Sequence, residues 1–150
     1  MKRIDNIRLQ DFMPNIDSKK FNYSGIEGYA EIIGWHIIAF IEGKDNFVSA
    51  ISFDEILSLP NTELVKTANN ILQTIEFPVM FGEKFPVVKK IYGNPYLSDS
   101  ILTEQTRYHY FLDNNSLYLC FGVENKDNSL YSLEIITNSN IIKNKIEVLY

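Results

Sequence analysis

Residues 107–123, RYHYFLDNNSLYLCFGV, decide the fold that we predict for this chain. Two runs rich in apolar side chains, 107–112 and 117–123, flank the segment DNNS, whose residue types tolerate the positive φ angles of a tight turn. With the two asparagines at the turn centre, six large apolar side chains share one face of the hairpin: Tyr108, Tyr110, Leu112, Leu117, Leu119 and Phe121. A slip of one residue would move them all to the other face, so turn and alternation together predict the register.

Further strands extend this hairpin in both directions along the sequence. A strand over 130–136 is expected to add Tyr131, Leu133 and Ile135 to the same face. Residues 35–41 are apolar apart from one histidine, which is typical of a strand covered on both sides, and a turn over 42–46 joins them to a strand over 47–53. The pattern allows one short edge strand in 1–28 and leaves 141–150 open between strand and helix.

Two helices are predicted between these groups of strands. An apolar stripe at i, i+4, i+7, i+8 and i+11 predicts a helix over 61–75, with Asn61 or Thr62 as its N-cap. A second helix over 84–92 has Pro86 in its first turn and Gly93 at its C-terminal cap. The order of strands, two helices and strands predicts one α+β domain over 1–150, an antiparallel sheet with two helices packed on one face.

The charge of the chain bears on its class of partner. The 150 residues carry a formal net charge of -5, and no basic run is longer than two residues. Nucleic acids reward clusters of Lys and Arg, so we expect no nucleic-acid partner, whereas a basic protein partner would suit the acidic balance.

Cysteine usage and hydropathy bear on the compartment. The single cysteine, Cys120, excludes an intramolecular disulfide. No stretch has the pattern of a signal peptide or of a membrane span. We therefore expect a cytoplasmic protein with no membrane partner; its oligomeric state is left open.

Metal and thiol chemistry have few candidate residues. A metal site needs three or four convergent ligands, and the chain offers only His36, His109 and Cys120 as nitrogen and sulfur ligands. The register places Cys120 opposite His109, and such a pair can activate a thiol nucleophile. Because Cys120 lies in the middle of an apolar strand, we interpret it as a packed side chain. We expect no metal and no cofactor.

Acid–base chemistry would need paired carboxylates. No spacing brings the acidic residues of the strand regions together, so we interpret them as solvated: Glu27, Glu31, Asp54, Glu55 and Glu134. The sequence also has no nucleophile elbow and no glycine-rich phosphate loop. We therefore expect no catalytic residue and no enzymatic activity.

The other face of the C-terminal hairpin mixes aromatic and polar side chains. Aromatic residues and arginine concentrate at protein interfaces, so this face predicts a partner-binding site with Tyr118 as an exposed anchor. An ordinary exposed face of an antiparallel sheet explains the same pattern equally well. The predicted partner-binding residues are Arg107, His109, Phe111, Tyr118 and Glu134.

The segment 82–95, GEKFPVVKKIYGNP, followed by three strands, carries a resemblance. It resembles the Gly…Val…Gly-x-Pro helix and sheet of the β-lactamase-inhibitor-like and outer-membrane-assembly-lipoprotein group, over residues 82–136. That resemblance implies a binding module that presents an aromatic sheet face to a protein. In general character the chain is also similar to the immunity proteins of bacterial toxin–immunity pairs.

These observations lead to two functional hypotheses. The first is a protein-binding module, in its narrower form an immunity protein that binds and neutralises a cognate bacterial toxin. The alternative is a small-molecule-binding or enzymatic domain with a site between the sheet and the helices.

Overall fold

The computed structural model describes residues 1, 4–12, 21–24, 27–43, 45–57, 62–102 and 104–149. Within these ranges eight strands form one antiparallel sheet in the order β1-β2-β3-β4-β8-β7-β6-β5. The strands are β1 (Phe21–Ser24), β2 (Glu27–Ile33), β3 (Ile37–Glu42), β4 (Phe47–Phe53), β5 (Leu97–Leu102), β6 (Gln105–Leu112), β7 (Leu117–Glu124) and β8 (Leu130–Ile136). The helices are α1 (Leu9–Phe12), α2 (Thr62–Thr74), α3 (Phe85–Tyr92) and α4 (Ser139–Leu149), preceded by a 3-10 turn at Ile4–Asn6.

The sheet consists of two four-stranded meanders that meet at its centre. The chain leaves β4, forms α2 and α3, and returns at the far edge of the sheet as β5. It then works inward until β8 pairs antiparallel with β4, from Ala50 opposite Ile136 to Phe53 opposite Leu133. Residues some eighty positions apart in the sequence therefore become neighbours at the sheet centre.

The main core lies between the sheet and the helices α2 and α3. The predicted apolar stripe is buried there, which confirms the predicted helix. It consists of Leu64, Ala68, Ile71 and Leu72 of α2 and of Ile75 directly after the helix. Phe121 is central to this core, with its ring near those of Phe77, Tyr92 and Tyr110. Full burial of one such side chain stabilises the fold by about 1.5–3 kcal/mol.

The predicted C-terminal hairpin is confirmed in its register. Leu112 pairs with Leu117, Tyr108 with Phe121, and His109 with Cys120. The turn between the strands contains three consecutive residues with φ between 52° and 63°, as its asparagine-rich composition predicts.

The ends of the two predicted helices lie close to their expected positions. Pro86 is in the first turn of α3, and Gly93 follows its last turn with φ of 80° and donates its backbone N–H to the Lys89 carbonyl at 2.8 Å. The predicted N-cap of α2 is not described: Asn61 and the side chain of Thr62 lie outside the described residues.

The predicted fold class, an α+β domain with two helices packed on one face of an antiparallel sheet, is wrong. One large sheet dominates the described residues, and helices pack on both of its faces. On the face opposite α2 and α3, Ile142 of α4 packs with Ala50, Tyr118, Cys120 and Ile136. The sequence of 141–150 does not distinguish a helix from a strand. Its isoleucines favour strands as single residues, and their helical spacing extends over only two to three turns.

Two further expectations about the strands are wrong, and one strand is missing from the prediction. Strand β5 was not predicted, and Trp35 lies in the turn between β2 and β3. Strand β3 is not covered on both sides, because Phe40 is exposed.

A bulge in β8 overturns the predicted position of Tyr131. Gly122 pairs with Ser132 and Val123 with Leu130, so Tyr131 is an extra residue between them. Leu130 therefore enters the main core, and Tyr131 turns to the opposite face.

Candidate functional site

The sheet face opposite α2 and α3, which we call the second face, contains the candidate site. Helix α4 covers part of it, over Ala50, Tyr118, Cys120 and Ile136. The aromatic ring of Tyr118 also lies 5.5 Å below the Lys145 ammonium group of this helix. The rest of the second face, beside α4, is left with a concave surface.

This concave surface, which we call the depression, has a volume of about 260 Å³. It crosses four adjacent strands, since its walls come from the end of β4 and from β8, β7 and β6. Most of the residues that line it are polar or charged. The lining consists of Ser52, Phe53, Asp54, Gln105, Arg107, Cys120, Tyr131, Ser132 and Glu134.

The bulge in β8 and a glycine in β7 shape one wall. A Cβ atom on Gly122 would lie 1.8 Å from Ser132 Oγ and 3.2 Å from Tyr131 Cζ, so only glycine leaves room for both side chains. The Tyr131 hydroxyl reaches across β7 and donates to Gln105 Oε1 at 2.6 Å. The bulge in β8 and the glycine in β7 together position the Tyr131 side chain over the sheet.

Arg107 is fixed in another wall by a two-point contact with Asp99 on the edge strand β5. Its Nε and Nη2 donate to Asp99 Oδ1 and Oδ2 at 3.2 and 2.8 Å. The hydrogen bond from Arg107 and that from His109 lower the pKa of Asp99 to about 2. The same contact raises the pKa of Arg107, so both groups carry full charge at neutral pH.

His109 and Tyr118 support this ion pair from inside the protein. His109 is 2% exposed, with Nε2 2.9 Å from Asp99 Oδ1 and Nδ1 2.7 Å from the Tyr118 hydroxyl. When Nε2–H donates to the carboxylate, Nδ1 of a neutral imidazole accepts the hydroxyl hydrogen of Tyr118. Burial raises the pKa of Tyr118, so its hydroxyl keeps that hydrogen. The result is a continuous polar chain from Arg107 to Tyr118.

Cys120 forms part of the floor of the depression. Burial, and then the nearby Glu134, raise the pKa of its thiol to about 12, so the unreactive thiol form prevails at neutral pH. His109 lies opposite in the register, but both of its ring nitrogens bond to other groups. The described residues contain no group of three or more side chains that could hold a metal ion.

The five predicted partner-binding residues share the second face but differ in accessibility. Arg107 and Glu134 line the depression, and Phe111 is half-buried between Tyr96 and Tyr118. The expected exposure of Tyr118 is wrong, because this side chain is 0% exposed beneath α4; His109 is also buried. Partner binding by these residues stays a prediction.

Sequence reasoning missed how the other residues of the depression come together. Asp54 and Glu134 were interpreted as unrelated solvated carboxylates, yet the pairing of Ser52 with Glu134 brings both to the same concavity. No pattern in the sequence indicates which strand pairs with β4. The sequence therefore does not predict that Asp54 and Glu134 lie close together. The glycine at 122, within an apolar strand, was the available hint of an irregularity.

The chain has little detectable similarity to known proteins. No protein family and no characterised protein matches the sequence. One solved structure, a DUF4309 family protein (YjgB) from Bacillus subtilis, matches with a TM-score of 0.42 and 12% identity, over 90% of this chain and 81% of that chain. A likeness at that level supports no inference about this chain. The resemblance of residues 82–136 to the β-lactamase-inhibitor-like group therefore stays a prediction.

In the part of the chain that the structure describes, no helix combines the length and the apolar character needed to cross a membrane.

Proposed function

We propose that this protein is a non-enzymatic protein-binding module that recognises its partner through the uncovered part of the second face. The observation that carries the proposal is the convergence of Asp54, Arg107 and Glu134 on one depression of about 260 Å³. A concave site with a few charged groups converging on it is a typical place for an anchoring side chain of a partner.

The rigidity of the site supports the proposal. Arg107 is already held at two points by Asp99, and Asp99 is held in turn by the buried His109. Ordering a long side chain on binding costs about 0.5–1.5 kcal/mol, so an arginine that is fixed beforehand avoids much of that cost. The depression therefore has the preorganisation expected of a recognition site.

An aromatic pair near the other end of β6 would add contact area. Tyr96 is exposed, and its ring meets that of Phe111 edge to face at 5.3 Å. Tyrosine and phenylalanine supply large contact areas at little entropic cost. This pair is the second anchor that the proposal uses.

The states of the Cys120 thiol and of the His109 imidazole favour binding over catalysis. A thiol with a pKa near 12 is a poor nucleophile. An imidazole whose two nitrogens already bond to Asp99 and Tyr118 has no free position for proton transfer to a substrate.

In its narrower form, the proposal makes the partner a bacterial toxin and this chain its cytoplasmic immunity protein. The net charge of -5 supports this form, because it would speed the encounter with a basic partner.

A paired capture experiment tests the proposal. Asp54 is exposed on the rim of the depression, and Asp54→Trp would place a large ring there with little effect on the core. Asp45→Trp, in the exposed turn between β3 and β4, is the matched control. We expect a cellular protein that wild type and the control retain and Asp54→Trp loses. Identical sets of proteins on all three baits would contradict the proposal.

Small-molecule binding is the second candidate, because the depression is concave and polar. Its volume of about 260 Å³ lies below the roughly 300–1,000 Å³ of typical ligand pockets, so only a small polar molecule would fit. Native mass spectrometry of protein purified from its host cells would favour this candidate if it detected a bound small molecule that Asp54→Trp excludes.

A further inference from the structure

We infer that the depression accepts a cationic side chain, lysine or arginine, of the partner. This inference rests on the proposed function and specifies the chemistry of its central contact. It follows from four features: the charges of the walls, the state of Arg107, the hydrogen-bond acceptors present and the size of the concavity.

Two carboxylates provide negative charge that is only partly compensated. Within the described residues, the Asp54 carboxylate forms no ion pair. The Glu134 carboxylate has Lys145 Nζ at 3.5 Å, with the two side chains 39% and 35% exposed. Such half-exposed pairs are worth only about 0–1 kcal/mol, so Lys145 can be displaced by an incoming cation.

Arg107 does not turn the depression into an anion site. Its charge is compensated by Asp99, and two of its donor nitrogens are already engaged there. An anion reaching its remaining N–H groups would have to lie beside Asp54 and Glu134, which line the same concavity. Like charges that close repel each other, so an anion is disfavoured.

Neutral groups complete a set of acceptors for a cation. Ser52 and Ser132, whose hydroxyl oxygens can accept hydrogen bonds, line the depression together with Asp54 and Glu134. A guanidinium group has five N–H donors and an ammonium group three, and both need several acceptors when they leave water. The ring of Tyr131 offers apolar surface to the methylene stem of such a side chain.

The size of the depression limits the occupant. A volume of about 260 Å³ suits one long side chain. The net charge of -5 on the whole chain would also draw a basic partner toward this surface.

A titration with model compounds tests the inference without the partner. Amide chemical shifts are followed by NMR while N-acetyl-arginine methylamide, N-acetyl-lysine methylamide or N-acetyl-glutamate methylamide is added to the folded protein. We expect saturable shifts around Ser52, Cys120 and Ser132 with at least one basic compound and none with the acidic one. Asp54→Asn and Glu134→Gln should each weaken this binding about tenfold.

The control variant is Glu147→Gln, an equal change of charge on the exposed side of α4. It should leave the titration unchanged. Saturable binding of the acidic compound at equal affinity, no saturable binding of either basic compound, or an equal loss in the control would overturn the inference. The proposed function would survive each of these results, because it is tested by the capture of a partner.

Discussion

The two faces of the sheet differ in the side chains that they carry and in how completely helices cover them. The first face buries aliphatic and aromatic side chains against α2 and α3, with Phe121 central among other rings. The second face places an ion pair, a buried histidine and a carboxylate on the alternate positions, and α4 covers only part of it. The difference indicates that stability resides mainly on the first face, which leaves the second face free for recognition.

Two phenylalanines on opposite faces provide the sharpest comparison of stability. Phe121→Ala should lower the free energy of unfolding by about 3–5 kcal/mol, because it opens a cavity in the first-face core. Phe111→Ala, on the second face, should lower the free energy of unfolding by about 1–2 kcal/mol, because this side chain is only half-buried and water already reaches part of its ring. Urea unfolding of both variants measures the two values, and equal losses would contradict the assignment of the main core to the first face.

Gly122→Ala tests how closely the strands are packed beside the depression. The added methyl group would lie against Ser132 Oγ and the Tyr131 ring, so we expect a loss of about 1–3 kcal/mol in stability. Ser132→Ala is the matched background, because it removes the nearest atom. The cost of the glycine substitution should fall in the double variant; an unchanged cost would show that the contact with Ser132 is not its cause.

Tyr118→Phe tests the polar support of the second face. The variant keeps the ring under α4 but leaves Nδ1 of the buried His109 without its hydrogen bond. We expect a loss of about 1–2 kcal/mol in the free energy of unfolding. Tyr131→Phe, which removes a hydroxyl from a less enclosed contact with Gln105, should cost less; the reverse order would contradict the buried network.

The smallest change in the free energy of unfolding is expected from a change of pH. The pKa of Asp99 is about 2 in the folded protein against an ordinary value of 3.8, so folding favours its ionised form. This contribution to stability is complete above about pH 4 and is lost as the pH falls toward 2. Asp99 is 35% exposed, so solvent screening keeps the effect small.

Unfolding by urea between pH 2 and pH 6 measures this contribution. Asp99→Asn should flatten the acid limb of the stability profile, while Asp45→Asn, in an exposed turn, should leave it unchanged. An acid limb that is identical in wild type and Asp99→Asn would exclude the ion pair as its source.

Local patterns predicted the elements of this fold better than their assembly. The stripe from Leu64 to Ile75 and the turn over 113–116 encode a helix and a register within a few residues, and both are confirmed. The pairing of β4 with β8 joins distant segments, so periodicity says nothing about it. The fold class was wrong for a related reason, since the short stripe of α4 does not distinguish helix from strand.

The candidate site was predictable only in part. Alternation along β6 and β7 places Arg107, His109, Phe111 and Tyr118 on one face, as predicted. Alternation cannot tell whether another element covers that face, which is why Tyr118 was expected to be exposed. Asp54 enters the site through the β4–β8 pairing, and Tyr131 enters through a bulge that breaks the alternation itself.

The affinity of the captured partner for a matched pair of glutamate variants tests the central claim most directly. Glu134 lines the depression, whereas Glu147 lies on the exposed side of α4. Isothermal titration calorimetry should give a dissociation constant about tenfold higher for Glu134→Gln and an unchanged one for Glu147→Gln. Equal dissociation constants for wild type and Glu134→Gln would contradict the recognition of a cationic side chain of the partner in the depression of the second face.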